Sequence, residues 1–390
     1  MKKEWEFKKL GELCKVIAGQ SPEGKYYNNI GEGLPFYQGK KEFSEKYLGE
    51  PTTWTTNITK EAQKGDILMS VRAPVGPVNF AVTNICIGRG LAAIRTSSAV
   101  NKEFLFHFLL LHENEIVGNS GAVFNSISKV QIESITLPLP TLTEQHRIVA
   151  ILDEAFAAIN KAKENVEKNL ENSHELFESF LSKIFAKPGD GWEVCKIEDY
   201  IKFIDYRGRT PEKTTTGLRL ITAKNVKNGF LQTSPEEFVD PAIYNSWMTR
   251  GIPETGDVLF TTEAPLANVA QLETDEKVVF AQRIIIFQPQ TSKINKKFLK
   301  YILLSKPIRH KILTSGTGAT VQGIKASLLK KIEIYFPKSV TEQQRIVAKL
   351  DTLSFETKRL ESIYQKKLAD LDEMKKSILQ RAFNGKFTEA

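Results

Sequence analysis

Three cysteines, Cys14, Cys86 and Cys195, are scattered through 390 residues without a CxxC pair. They make neither a disulfide framework nor half of a zinc site. The five histidines, at 107, 112, 146, 174 and 310, form no HxxxH or HExxH pair, which leaves metal binding without ligands. No apolar run approaches the roughly 18–20 residues a membrane-spanning helix needs. The opening Met1-Lys2-Lys3-Glu4-Trp5-Glu6-Phe7-Lys8 is charged at once and holds no signal-peptide stretch, so a cytoplasmic protein is expected. A GxSxG elbow, a GxGxxG fingerprint after a strand and the Asn-Pro-Pro-aromatic signature of amino-methyltransferases are all missing. Gly19-Gln20-Ser21-Pro22-Glu23-Gly24-Lys25-Tyr26 fits GxxxxGK, but Tyr26 stands where a phosphate loop needs a Ser/Thr hydroxyl, and Pro22 interrupts it. No catalytic centre and no bound cofactor are expected of this chain.

What is present is an ordinary folded composition, 41% hydrophobic and 26% charged, in a chain long enough for two domains or more. The net charge of +8 is unevenly spread: +2 over residues 1–141, −2 over 142–187, +6 over 188–340 and +2 over 341–390. A basic excess favours a polyanionic partner such as nucleic acid.

The chain is a duplication. Thr143-Glu144-Gln145-His146-Arg147-Ile148-Val149-Ala150-Ile151-Leu152-Asp153 returns 198 residues later as Thr341-Glu342-Gln343-Gln344-Arg345-Ile346-Val347-Ala348-Lys349-Leu350-Asp351, with nine of eleven positions identical. Fainter echoes keep the order: Trp5-Glu6 and Trp192-Glu193; Gly65-Asp66 before Ala73-Pro74 and Gly256-Asp257 before Ala264-Pro265; Asn101-Lys102 and Asn295-Lys296. The Gly-Asp pairs read as tight turns before strands. The organisation is a domain over 1–141, a long helix over 142–187, a second domain over 188–340 and a second long helix over 341–390. Both domains read as mixed α/β, with β-rich runs such as Asp66–Val71 and Arg283–Phe287 and one amphipathic helix each, Lys102–His112 and Lys296–Ser305.

Thr143 and Thr341 are the expected helix caps, Thr341-x-x-Gln344 fitting a capping box, and Lys187-Pro188-Gly189 and Asn384-Gly385 are the stops. One heptad position holds Leu152, Ile159, Val166, Ser173 and Phe180, with Ile148, Ala155, Ala162, Asn169 and Leu176 as companions. The second helix matches it with Leu350, Thr357, Tyr364, Leu371 and Ile378, beside Ile346, Leu353, Leu360, Lys367 and Met374. Such stripes predict a coiled coil, antiparallel because a globular domain separates two equivalent helices, with Asn169, Ser173 and Lys367 as imperfect layers; the alternative is two surface helices each packed on its own domain. The fold class expected is α+β: two pseudo-repeated α/β domains and a helix pair.

Candidate DNA-contacting residues lie beside glycines, where backbone can approach and long polar side chains can reach a groove. In the first domain they are Gln38, Lys40, Lys41, Arg72 and Arg89. In the second they are Arg207, Arg209, Thr222, Lys224, Asn225, Arg283, Thr317 and Gln322.

Two diverged domains, each ending in Thr-Glu-Gln-x-Arg-Ile-Val-x-x-Leu-Asp, resemble the specificity subunit of type I restriction–modification systems over essentially the whole chain. The resemblance implies one target-recognition domain per half of an asymmetric bipartite site in double-stranded DNA. It also implies paired helices that dock two methylation subunits carrying S-adenosylmethionine, with restriction subunits using ATP and Mg²⁺ able to join. Two other readings remain open: a related system whose catalytic partner fuses methylase and nuclease, and a coiled-coil scaffold with two protein-binding domains.

Overall fold

A computed structural model describes residues 5–113, 126–208, 210–316 and 322–387. The chain divides into two compact units, Met1–Val166 with Lys366–Ala390, and Glu167–Gln365. This cuts across the linear partition read from the sequence, because each long helix contributes one half to each unit.

In the first unit a four-stranded antiparallel sheet runs in the order Cys14–Ala18, Leu91–Thr96, Ile67–Ser70, Val78–Phe80. In a second sheet, Leu34–Tyr37 pairs in parallel with Ile85–Ile87. Glu6–Lys9 and Thr136–Leu139 close the domain as an antiparallel pair. The second unit repeats this plan. Its four-stranded sheet runs Ile201–Asp205, Ile284–Pro289, Val258–Thr261, Val269–Gln271. Leu218–Ile221 pairs in parallel with Val278–Phe280, and Trp192–Lys196 with Glu333–Pro337 in antiparallel fashion. The amphipathic helices span Lys102–Leu111 and Lys296–Leu304, and each is capped by an Asn side chain, Asn101 or Asn295, accepting two backbone N–H bonds.

Both Gly-Asp pairs are turns, as expected. Gly65 and Gly256 take φ of 90° and 86°, a region glycine enters without a Cβ clash. Asp66 accepts from the Gln63 N–H at 2.8 Å and from Arg95 at 2.7 and 3.0 Å. Asp257 accepts from the Glu254 N–H at 2.9 Å and from Gln288 at 2.7 Å, and lies 2.7 Å from the Lys296 ammonium.

The long helices span Leu142–Phe185 and Val340–Phe383, 44 residues each. Their caps lie two residues earlier than expected. Thr141 and Ser339 are the caps, their hydroxyls accepting from Glu144 N–H at 3.4 Å and Glu342 N–H at 3.3 Å, and Thr143 and Thr341 sit inside the first turn. The repeated motif acts as a clasp. Gln145 is fully buried; its Oε1 accepts from the Asn101 N–H at 2.8 Å and its Nε2 donates to the carbonyls of Ala99 and Pro140. Gln343 does the same with Asn295 N–H, Lys293 and Pro337, each at 2.8 Å.

Within the first unit the helix halves run antiparallel: Lys163 pairs with Asp372, while Arg147 donates to the Phe387 carbonyl. In the second unit His174 Nδ1 meets Glu361 at 2.9 Å. The heptad register needs correction. Leu152, Ile159 and Leu350 are buried, and Val166, Tyr364, Leu371 and Ile378 half-buried, as expected. The companion stripe lies one residue later, at Val149, Phe156, Leu170 and Phe177 in the first helix and Val347, Leu368 and Ala382 in the second. Each helix must face its own domain as well as its neighbour: Phe156 packs edge-on to His107 at 5.4 Å, and Phe177 to Tyr301 at 6.2 Å. Consequently Leu176 is 51% exposed, Leu360 36% and Met374 53%, although Ile148 is buried and Ile346 and Leu353 half-buried. Phe180, 37% exposed, gives way to Leu181, as the drift of about 20° per heptad in a straight helix requires.

The first core gathers Phe104, Leu105 and Phe108, Ile67, Met69 and Ile94 of the sheet, Ile148 and Leu152, and Leu379, Ala382 and Phe383. The second gathers Phe298, Leu299 and Ile302, Phe260 and Phe287, Val347 and Leu350, and Leu181 and Phe185. Among the described residues no helix is long and apolar enough to cross a membrane.

Candidate nucleic-acid interface

The two copies bring equivalent loops to one end of each four-stranded sheet, and matched backbone hydrogen bonds fix the correspondence. Gly88 N–H donates to Tyr37 O as Ala281 N–H does to Ile221 O, and Val71 N–H donates to Gly90 O as Thr262 N–H does to Arg283 O. Ile127 N–H donates to Val71 O as Ile324 N–H does to Thr262 O. Arg72 bridges Ser126, and Glu263 bridges Gly323. Gln38 thus corresponds to Thr222, Lys40 to Lys224, Arg72 to Glu263, and Arg89-Gly90 to Gln282-Arg283.

In the first domain Gln38, Lys40, Lys41, Arg72 and Arg89 are all exposed. Gln38 and Arg89 meet through a residue not anticipated from the sequence, Ser21, whose hydroxyl donates to Gln38 Oε1 at 3.0 Å and accepts from the Arg89 N–H at 3.2 Å. Ser21 belongs to the GxxxxGK segment, which is no phosphate loop. Gly19 N–H and Gln20 N–H are spent on Leu91 O and Ile87 O, and no helix follows, only the short turn Gly24–Tyr26.

In the second domain Arg207 and Arg283 line one cleft, while Thr222 is half-buried and its hydroxyl donates to Asn225 Oδ1 at 3.2 Å. Arg207 is held bidentately by Asp205 at 2.8 and 2.6 Å, which raises the guanidinium further above its ordinary pKa. Burial would raise the Asp205 carboxyl, but the bonds from Arg207 outweigh it and hold it below its ordinary value. Lys224 is exposed and lies 3.4 Å from Glu237. Asn225 needs correction: it is fully buried. Its Oδ1 accepts from Thr222 and its Nδ2 reaches the carbonyls of Gln232, Thr233 and Pro235, so it frames the loop and presents nothing to DNA. Gln322 is exposed but tied to Leu313 O at 2.7 Å. Arg209 and Thr317 lie outside the described residues. The equivalence of Arg72 and Glu263 was present in the sequence, since each precedes an Ala-Pro at the same offset from Gly-Asp.

Among the described residues no His, Cys, Asp and Glu group could hold a metal ion. His107 is buried against Phe106 and Phe156, and desolvation pushes its pKa down to about 4; Asp153, 3.5 Å away, pulls weakly the other way.

Comparison with known proteins agrees with this doubled α/β plan. Residues 2–169 and 189–368 match the family described as "Type I restriction modification DNA specificity domain". The chain belongs to that family and is a specificity subunit of the type I restriction–modification class, a non-catalytic chain. It is 43% identical over 173 residues to a putative type I restriction enzyme MjaX specificity subunit from Methanocaldococcus jannaschii, covering 42% of this chain and 40% of that one. It is 23% identical over 407 residues to the MjaVIII specificity subunit of the same organism, covering 98% and 93%. Among solved structures it shares the fold of a chain from a study of type I R-M assembly and conformational transition, with TM-score 0.80, 19% identity and 98% of each chain covered. The HsdS subunit from Thermoanaerobacter tengcongensis follows at TM-score 0.59, 20% identity, with 99% and 98% covered.

Proposed function

We propose that the chain reads an asymmetric bipartite site in double-stranded DNA, one half per domain, and docks two methylation subunits on its long helices, where restriction subunits can join. The observation that carries this is the pair of equivalent loop clusters, framed by the same backbone bonds yet bearing different side chains: Gln38, Arg72 and Arg89 in one, Thr222, Glu263, Gln282 and Arg283 in the other. A shared frame with divergent polar tips suits two readers of different sequences, since base edges are distinguished by donor and acceptor pattern. For docking, the support is the apolar side chains the helices leave uncovered, Leu176, Phe180, Phe355, Leu360 and Ile363 in the second unit and Met374 in the first. The helix pair, read as an antiparallel coiled coil, would then set the spacer between half-sites. S-adenosylmethionine belongs to the methylation subunits, ATP and Mg²⁺ to restriction subunits.

The test is a swap. Replacing residues 1–141 with the corresponding domain of another subunit should change one half of the methylated sequence and leave the other intact. A swap that alters both halves, or neither, overturns the reading.

A further inference from the structure

Glu263 is out of character for a surface that meets a polyanion. It stands where the first copy has Arg72, and its side chain is 43% exposed beside an open cleft of about 450 Å³ lined also by Arg207, Gln282, Arg283 and Lys325. Its Oε1 accepts from Arg283 Nε at 2.9 Å. The fold does not need that ion pair, because the first copy places Gly90 where Arg283 stands and makes the same backbone bonds. The pair also comes with strained backbone. Gln282 and Arg283 have φ of 25° and 68°, both exposed, where side-chain-bearing residues rarely sit. Such strain persists only where surrounding structure imposes it, and it gathers at functional sites.

Resting on the reading proposed above, we infer that Glu263 is a specificity-determining residue of the second domain, accepting a hydrogen bond from the exocyclic amino group of a base in the major groove. A carboxylate repels phosphate, but it is the acceptor that cytosine N4 or adenine N6 presents a donor to. Arg283 orients the carboxylate through one oxygen and leaves the other for the base. Arg72, at the equivalent place, suits the opposite pattern, the acceptors O6 and N7 of guanine. The two domains therefore read from the same position with opposite polarity.

The experiment uses the full chain assembled with its methylation partner, S-adenosylmethionine and a library of duplexes, the methylated sites being sequenced for wild type, Glu263→Gln and Glu263→Ala. Both variants should lose about ten-fold or more of the preference for an amino-bearing base at one position of a single half-site. The other half-site and the melting temperature should stay unchanged. The lost base, cytosine or adenine, names the amino group read. Glu263→Gln keeps the shape and gains a donor, so it should also admit keto bases at that position. An unaltered motif in both variants overturns the inference. A parallel swap of residues 188–340 separates the two claims: if it changes one half-site while the Glu263 variants do not, only the role of Glu263 fails; if it changes neither, the reading fails with it.

Discussion

Gln145 and Gln343 each join three pieces of backbone: the cap of a short helix, the segment before it and the residue ahead of a long helix. Replacing Gln343 by Ala removes the partner of one N–H and two carbonyls that are buried or partly buried, and unsatisfied buried groups cost about 1–3 kcal/mol each. Gln343→Ala should destabilise the second unit by about 3 kcal/mol, seen as an earlier urea transition, with little effect from Gln344→Ala beside it. His107 makes a second residue-scale prediction. Its folded pKa of about 4 lies below the ordinary 6.5, so the unfolded chain takes the proton first and stability falls as pH drops from 6.5 toward 4. The loss attributable to His107 should reach about 2 kcal/mol at pH 5, and His107→Phe should flatten the acid limb of a stability–pH profile. If the variant and wild type lose stability in parallel, the ring is not the titrating group. Nothing in the sequence marked these roles. The motif glutamines were legible as repeated, but their partners are backbone atoms more than 40 positions away, or just before the helix, and a lone histidine on an apolar face says nothing of its depth.

At the scale of elements, the long helices were legible to within a few residues because length, caps and stops are local. Their facing was not. Heptad spacing of three and four leaves two companion stripes available, and which one turns inward depends on Phe156 and Phe177 finding His107 and Tyr301 on the domains. Leu360 and Ile363 are therefore free for a partner: changing both to Ser should weaken capture of the methylation subunit at least ten-fold while leaving the melting temperature of the isolated chain within a few degrees. An equal loss with Lys358→Ala in their place would point to another surface. For the spacer, four residues inserted in the middle of the first long helix lengthen it by about 6 Å, nearly two base-pair steps of duplex. Methylated-site sequencing should show a longer spacer between unchanged half-sites; an unchanged spacer at full activity would make the helices a flexible tether.

For the whole molecule, duplication was the strongest signal in the sequence, and the structure extends it to strand order and matched loop bonds. The loops themselves were half legible. Gly-flanked Arg, Gln and Thr marked segments that the structure makes equivalent in the two copies, yet Asn225 proved to be framework, because only the folded loop shows where an amide's partners lie. A net charge of +8 on 390 residues gives only a modest overall attraction to a polyanion. The isolated chain should bind random duplex weakly, and its affinity should rise steeply when the methylation partner is added; equal affinity with and without the partner would contradict that division of labour.

The first unit closes its core with Leu379, Ala382 and Phe383, the last of these ring-packed on Phe104 at 5.0 Å and Phe108 at 5.6 Å. The second unit, residues 167–365, is complete without any of them. On the ribosome, order of emergence and order of completion are then reversed: the domain translated first waits for residues near position 380, while the one translated later can finish ahead of it. Nascent chains stalled short of those residues should yield a protease-resistant fragment from the interior of the sequence and a digestible one from its beginning.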